Sequence, residues 1–183
     1  MTRPSLRRVL AGGDLAPALA ELKHWLGITR TADDAQLTAL LGAGLEACER
    51  FTGLTPLTST IEEVRDASHE WARLTTQPIA LVAGVETLAD DGTRTALGED
   101  AYDLHLSGDG SAQLRLRSRP YLQRVVVTLE AGLAPDWASL PDGLRHGILR
   151  FAAFLHREGE QGANEPPAAI AALWRPWRQV RLA

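Results

Sequence analysis

Residues 19–58, LAELKHWLGITRTADDAQLTALLGAGLEACERFTGLTPLT, decide the class of fold. Leu15, Leu19, Leu22 and Leu26, with Trp25 beside them, recur at helical spacing, and Gly27 follows where a left-handed C-terminal cap belongs. This predicts a first helix over about residues 16–26. After a short turn, Asp33 is placed to accept backbone N–H bonds at the start of a second helix, with Gln36 three residues on as in a capping box. Leu37, Leu41, Leu45 and Cys48, with Leu40 alongside, form one apolar stripe as far as Phe51. Gly53 and Pro56 end this helix, predicted over about residues 33–52.

Downstream the period changes to two. Ile61 and Glu63 fall on one face of a strand, Glu62 and Val64 on the other, and short apolar runs alternate with turn residues up to Glu130. Asp91-Gly92 is a hairpin signal. The turn Ser107-Gly108-Asp109-Gly110 joins Tyr102, Leu104 and Leu106 to Leu114 and Leu116, with Arg115 and Arg117 facing away from those leucines. A last run, with Val125, Val127 and Leu129 on one face, stops at Gly132. The β-rich region therefore covers about residues 58–131.

Helical spacing returns after Ser139. Pro141 suits the first turn and Asp142 complements the helix dipole. Leu144, Ile148, Phe151 and Leu155 form the buried stripe of a helix predicted over about residues 140–158, and Gly147 and Ala152 permit close helix approach. Residues 159–167 are polar, contain two Gly and two Pro, and read as a linker. Residues 168–183 then bring back Ile170, Leu173, Trp174, Trp177, Val180 and Leu182, with Pro176 precluding one uninterrupted helix.

The predicted fold class is α+β: a mainly helical body of two N-terminal helices and one C-terminal helix, a β-rich middle insertion, and an extended C-terminal tail. At 183 residues with 45% apolar content, one compact domain over residues 1–158 and one core are the default. No stretch approaches the roughly 18 consecutive apolar residues of a membrane span, so a soluble protein is expected. The Arg-rich start imitates a signal peptide, but Asp14 and Pro17 interrupt its apolar run. The single cysteine excludes an internal disulfide and a cysteine-zinc cluster, and suits a cytoplasmic origin.

Chemistry-bearing motifs are absent. His24, His69, His105, His146 and His156 show no metal-ligand spacing, Cys48 lies on an apolar helical stripe, and no GxSxG, Walker-type or GxGxxG pattern occurs. No catalytic residue, metal or cofactor is expected. The paired acids Glu62-Glu63, Asp90-Asp91 and Glu99-Asp100 are sequence neighbours whose side chains diverge, and read as solvated surface. A helix-turn-helix DNA-binding module is the alternative, but its second helix would offer Asp33, Asp34, Glu46 and Glu49 against only Arg50, a set that phosphates repel. The net charge, 19 basic minus 23 acidic residues or −4, argues the same way. The tail has two readings. It either folds back onto its own subunit, or, with Trp174, Trp177, Arg175 and Arg178 after a linker, serves as a docking peptide of the residue types that dominate interface hot spots.

This order of elements resembles the head-tail connector, or adaptor, proteins of tailed bacteriophages and of phage-derived gene-transfer agents. Residues 19–58 look like the family's short helix, Asp-rich turn, long helix and Arg-Phe-Thr-Gly exit. Residues 127–158 resemble its strand ending in Glu-Ala-Gly, followed by Leu-Pro-Asp-Gly-Leu-Arg entering a helix that finishes His-Arg-Glu. Residues 167–182 resemble its tail. No matching element exists for the first ten or so residues. The resemblance implies a structural, non-enzymatic subunit of a homo-oligomeric ring, a dodecamer, in the neck of a phage-like particle. It implies a β-rich middle directed towards a tail-side stopper or tail-terminator protein, and DNA passing through the ring without sequence-specific binding. A tail docked on the portal protein would use Leu173, Trp174, Arg175, Trp177, Arg178, Val180, Arg181 and Leu182.

Overall fold

A computed structural model describes residues 5–9, 14–118, 124–158 and 165–179. Val180, Arg181 and Leu182 lie outside the described residues. The chain forms two compact units, one of residues 1–12 and 58–132, the other of residues 13–57 and 133–183. Each has its own apolar cluster, so the expectation of one core gives way to two. The reason is that the insertion carries enough alternating strands to bury a face of its own.

In the first unit, β1 (Ser5–Val9), β2 (Ser59–Asp66), β4 (Ile79–Leu88), β5 (Arg94–Ala96) and β8 (Arg124–Ala131) make a five-stranded sheet of order β1-β2-β8-β4-β5. β3 (Ala72–Arg73), β6 (Tyr102–Leu106) and β7 (Ala112–Leu116) make a three-stranded sheet of order β3-β7-β6. All of these pairings are antiparallel. The expected alternation holds: Ile61, Val125, Val127 and Leu129 turn inward and meet Leu114 and Leu116 in one cluster. Gly110 closes the β6–β7 turn with φ +75°, and a Cβ there would lie 2.9 Å from Pro78 Cα, so the turn needs glycine twice over. Strand β1 was not expected. It pairs along β2 from Ser5↔Val64 to Val9↔Thr60, because the edge of β2 offers free backbone groups to five residues too short to declare a period.

Glu63 is also a correction. It was expected on the surface, yet it is fully buried. Its carboxylate accepts hydrogen bonds from the Thr75 and Thr76 N–H groups and the Thr76 hydroxyl at 2.9–3.1 Å, and from Arg65 Nη1 at 3.2 Å. A buried carboxylate survives only with such company, and here it fixes residues 74–76 to β2.

The second unit consists of α1 (Ala16–Leu26), α2 (Asp34–Thr52), α3 (Asp142–Glu158) and α4 (Ala168–Trp174), followed by a 3-10 turn, Arg175–Trp177. Gly27 and Gly53 cap α1 and α2 in the left-handed conformation, as expected. The capping box at Asp33 does not form: the Asp33 side chain makes no cap hydrogen bond, and the neighbouring Asp34 is drawn into an ion pair with Lys23. Leu22, Leu37, Leu41, Cys48, Leu144, Ile148 and Phe151 fill the core. Gly44 lets α2 approach α3, since a Cβ there would stand 3.1 Å from the Ile148 carbonyl oxygen. Trp137 Nε1 donates to Glu21 at 2.8 Å, tying the segment before α3 to α1.

Helix α4 folds back on this core. Trp174 is 0% exposed, between Phe51 and Phe151 with ring centroids at 6.0 and 6.1 Å, and its indole N–H donates to the Leu144 carbonyl at 3.4 Å. The indole lies against the bare backbone of Gly147, where a Cβ would come within 2.8 Å of Trp174 Cδ1.

Glu63→Ala leaves several buried donors without an acceptor and is expected to cost about 3 kcal/mol. A urea midpoint equivalent to less than about 1 kcal/mol would show the network to be dispensable. Gly147→Ala drives a methyl into the Trp174 ring and should cost about 2–3 kcal/mol, with Trp174→Ala at about 3–5 kcal/mol. If Gly147→Ala stabilised the protein, as alanine does in an open helix interior, Trp174 would not occupy this slot.

Candidate docking surface

The described residues contain no group of three His, Cys, Asp or Glu side chains fit to hold a metal ion. Cys48 is buried, and desolvation pushes its thiol up to about 12, with the Glu49 charge adding to the rise. It remains a neutral apolar filler rather than a nucleophile. The histidines are scattered: His69 Nδ1 lies 3.0 Å from the Leu116 carbonyl, and His146 meets Trp25 edge-on at 5.4 Å. The perturbed carboxylates serve their own turns and strands. Asp91, Asp109 and Asp136 are held below the ordinary carboxylate range by hydrogen bonds from Thr93, Ser111 and Ser139, and Asp103 by Arg117 and then Arg115. Each is fixed as an anion, which suits structure rather than proton transfer.

What remains is surface. Of the tail residues singled out in the sequence, Trp174 is enclosed in its own subunit and cannot meet a partner while α4 stays docked. Helical periodicity over seven residues was too short to show that Ile170 and Trp174 share an inward face. Leu173 is half-buried. Arg175 and Arg178 are exposed, and Trp177 is half-exposed with its Nε1 3.7 Å from where a Cβ on Gly143 would stand. Arg178 places its guanidinium over the Phe51 ring at 5.5 Å, and the Gln179 N–H donates to the Thr52 carbonyl at 2.8 Å. The chain is thereby led along the end of α2. Beside it runs a groove of about 390 Å³ lined by Ala47, Arg50, Phe51, Glu165, Pro166, Ala171 and Arg178. The arrangement leaves two arginines, a tryptophan edge and a groove of mixed apolar and charged lining at the surface. It offers no reacting group. No helix among the described residues is long and apolar enough to cross a membrane.

No protein-family model matches the chain, and no curated protein matches it significantly. Solved structures do. A chain in the neck of an empty GTA particle computed with C6 symmetry superposes with a TM-score of 0.77 at 23% identity, covering 98% of this chain and 97% of that one. A chain in the neck of a native GTA particle computed with C12 symmetry gives 0.75 at 24% identity, with coverage of 98% and 97%. A chain in the virion of a native gene transfer agent (GTA) particle gives 0.71 at 23% identity, with 97% of each chain covered. The protein therefore has, over nearly its whole length, the fold of a chain built into the neck of gene transfer agent particles.

Proposed function

We propose that this chain is a head-tail connector (adaptor) subunit: a non-enzymatic structural part that forms a ring of twelve copies in the neck of a phage-like particle. The ring sits between the portal protein and a tail-side stopper or terminator and completes the channel through which DNA leaves. The observation that carries this reading is the full-length match of fold to neck chains, in structures computed with C6 and C12 symmetry. The α+β architecture supports it. No observation favours the helix-turn-helix alternative, whose recognition helix would be the acidic α2.

On the portal side the docking residues are Arg175, Trp177 and Arg178, continuing into Val180, Arg181 and Leu182. Leu173 and Trp174 anchor the segment to α3. Each contact is small, but twelve tethered copies multiply weak contacts into avidity, so attachment waits for a completed portal ring.

The test is capture of the portal protein encoded at the same locus. Removing everything after Gly162 is a poor probe, because it takes Ile170 and Trp174 out of the core. Arg175→Glu with Arg178→Glu leaves those anchors in place. It is expected to weaken portal capture at least about tenfold, equivalent to 1.4 kcal/mol, with stability lowered by no more than the roughly 0.5–1 kcal/mol of the lost Arg178–Phe51 contact. Undiminished capture would remove the portal role from this segment. Failure of the wild-type chain to bind the portal at all would remove the connector reading.

A further inference from the structure

We propose that the outer face of the three-stranded sheet, centred on Trp71, Arg115 and Arg117, receives the acidic β4–β5 hairpin tip of a second copy of this chain, making the side-to-side contact of the ring. This rests on the ring reading above and names the surfaces that would close it.

The hairpin is built to project. Residues 90–96 are exposed without interruption, including all three residues of β5, so this element adds little burial to its own subunit. Yet its tip is held in one shape. Ala89 N–H donates to the Thr93 carbonyl at 2.9 Å, Gly92 N–H to the Ala89 carbonyl at 3.0 Å, and Thr93 N–H to the Asp91 carboxylate at 2.8 Å. Asp90 and Asp91 stand at the apex. The one arginine of β5, Arg94, is drawn back to Glu62 at 2.8 Å and Glu86 at 3.6 Å, away from neutralising the tip.

The centre of the sheet face carries two arginines against one carboxylate, and it is also rigid. The Arg115 guanidinium lies 4.7 Å over the Trp71 ring, and Arg115 and Arg117 both bind Asp103, at 2.8 and 2.6 Å. Register puts Arg73 opposite Gln113, two residues from Arg115 on the same face. Two arginines thus flank one central carboxylate, with Asp100 near Arg117 and, at the rim, Asp109 near Arg73. Trp71 is 44% exposed, and the side chains of Arg115 and Arg117 are 44% and 55% exposed. Tryptophan and arginine dominate interface hot spots, and side chains already ordered in the free subunit lose little entropy on binding. Because the two patches differ, their contact is head-to-tail, the kind that closes into a ring when the rotation permits; a self-complementary contact stops at a dimer.

Charge exchange tests this. In the hairpin variant, Asp90→Arg with Asp91→Asn reverses the tip while keeping an oxygen for Thr93. In the face variant, Asp103→Arg, Arg115→Glu and Arg117→Glu reverse the face while keeping opposite charges paired across the strands. Self-association is followed by sedimentation velocity over a concentration series, and by ring formation on isolated portal. Each variant alone should associate at least about tenfold more weakly than wild type, and an equimolar mixture should recover wild-type association, because every contact then joins opposite charges. If both variants form rings as wild type does, the interface is wrong and the ring reading stands. A mixture that fails to recover assigns the face to another partner, such as an acidic tail-side peptide, and overturns the contact between copies. A wild-type chain that stays monomeric alone and on the portal overturns the ring and this interface together.

Discussion

The helical unit depends on one steric fact: an indole lies where a side chain on residue 147 would be. With hydrogen in that place, Trp174 reaches the backbone of α3, closes the core between Phe51 and Phe151, and brings α4 down with it. Burying a tryptophan removes roughly 150–250 Å² from water, a gross gain of about 4–6 kcal/mol as an upper bound. That is comparable with the whole net stability of many domains. The same contact decides which face of the C-terminal segment a partner can reach. With Ile170 and Trp174 inward, the 3-10 turn presents Arg175 outward, and Arg178 continues along Phe51. A segment anchored in this way is ordered before it meets a partner, so docking need not offset the entropy of folding a free peptide. Premature binding then has to be kept weak by the small contact area of a single copy rather than by disorder.

The β unit solves a different problem. It buries a face of its own, and at one point it buries a carboxylate. Glu63 satisfies four donors from Arg65, Thr75 and Thr76. Such a network contributes less net stability than its bond count suggests, but it is intolerant of partial loss, which makes the 74–76 connection rigid. Rigidity is useful to a surface that must be matched by a neighbour. Arg73 ends β3 directly ahead of this connection, Trp71 precedes that strand, and Arg115 lies on β7, which pairs with it.

The existence, type and position of α1, α2 and α3 were readable because their stripes run for three to five turns with punctuation at Gly27, Gly53 and Pro141. The β region was readable as a region. One failure was local: Asp33 had the right spacing for a capping box, but its backbone is helical (φ −94°, ψ −3°) rather than in the extended conformation a cap needs. The others share a cause: they depend on what lies across space. Ser5–Val9 became a strand only because β2 has an edge to share. Glu63 looked like half of an acidic surface pair until residues 75 and 76 supplied donors. In the C-terminal segment, composition did not show that Trp174 is buried in its own subunit, because the space that receives it is left by a glycine on another helix. The Trp71–Arg115–Asp103 cluster left no signal in the sequence beyond outward-facing arginines, since its three residues are brought together by strand register.

Charge ties the two units to one use. Many of the arginines are committed to carboxylates of the same chain: Arg65 to Glu63, Arg94 to Glu62 and Glu86, Arg115 and Arg117 to Asp103, Arg145 to Asp142. A phosphate would have to displace those partners, and with a net charge of −4 the long-range field adds no compensating attraction. Under the proposed function, a wall of this kind would let a polyanion pass without gripping it. Protein partners differ from phosphate in that they bring shape as well as charge. An indole edge beside a pinned guanidinium discriminates a fitted acidic loop from a uniform line of phosphates, and ion pairing within the chain thereby selects protein contacts over nucleic acid.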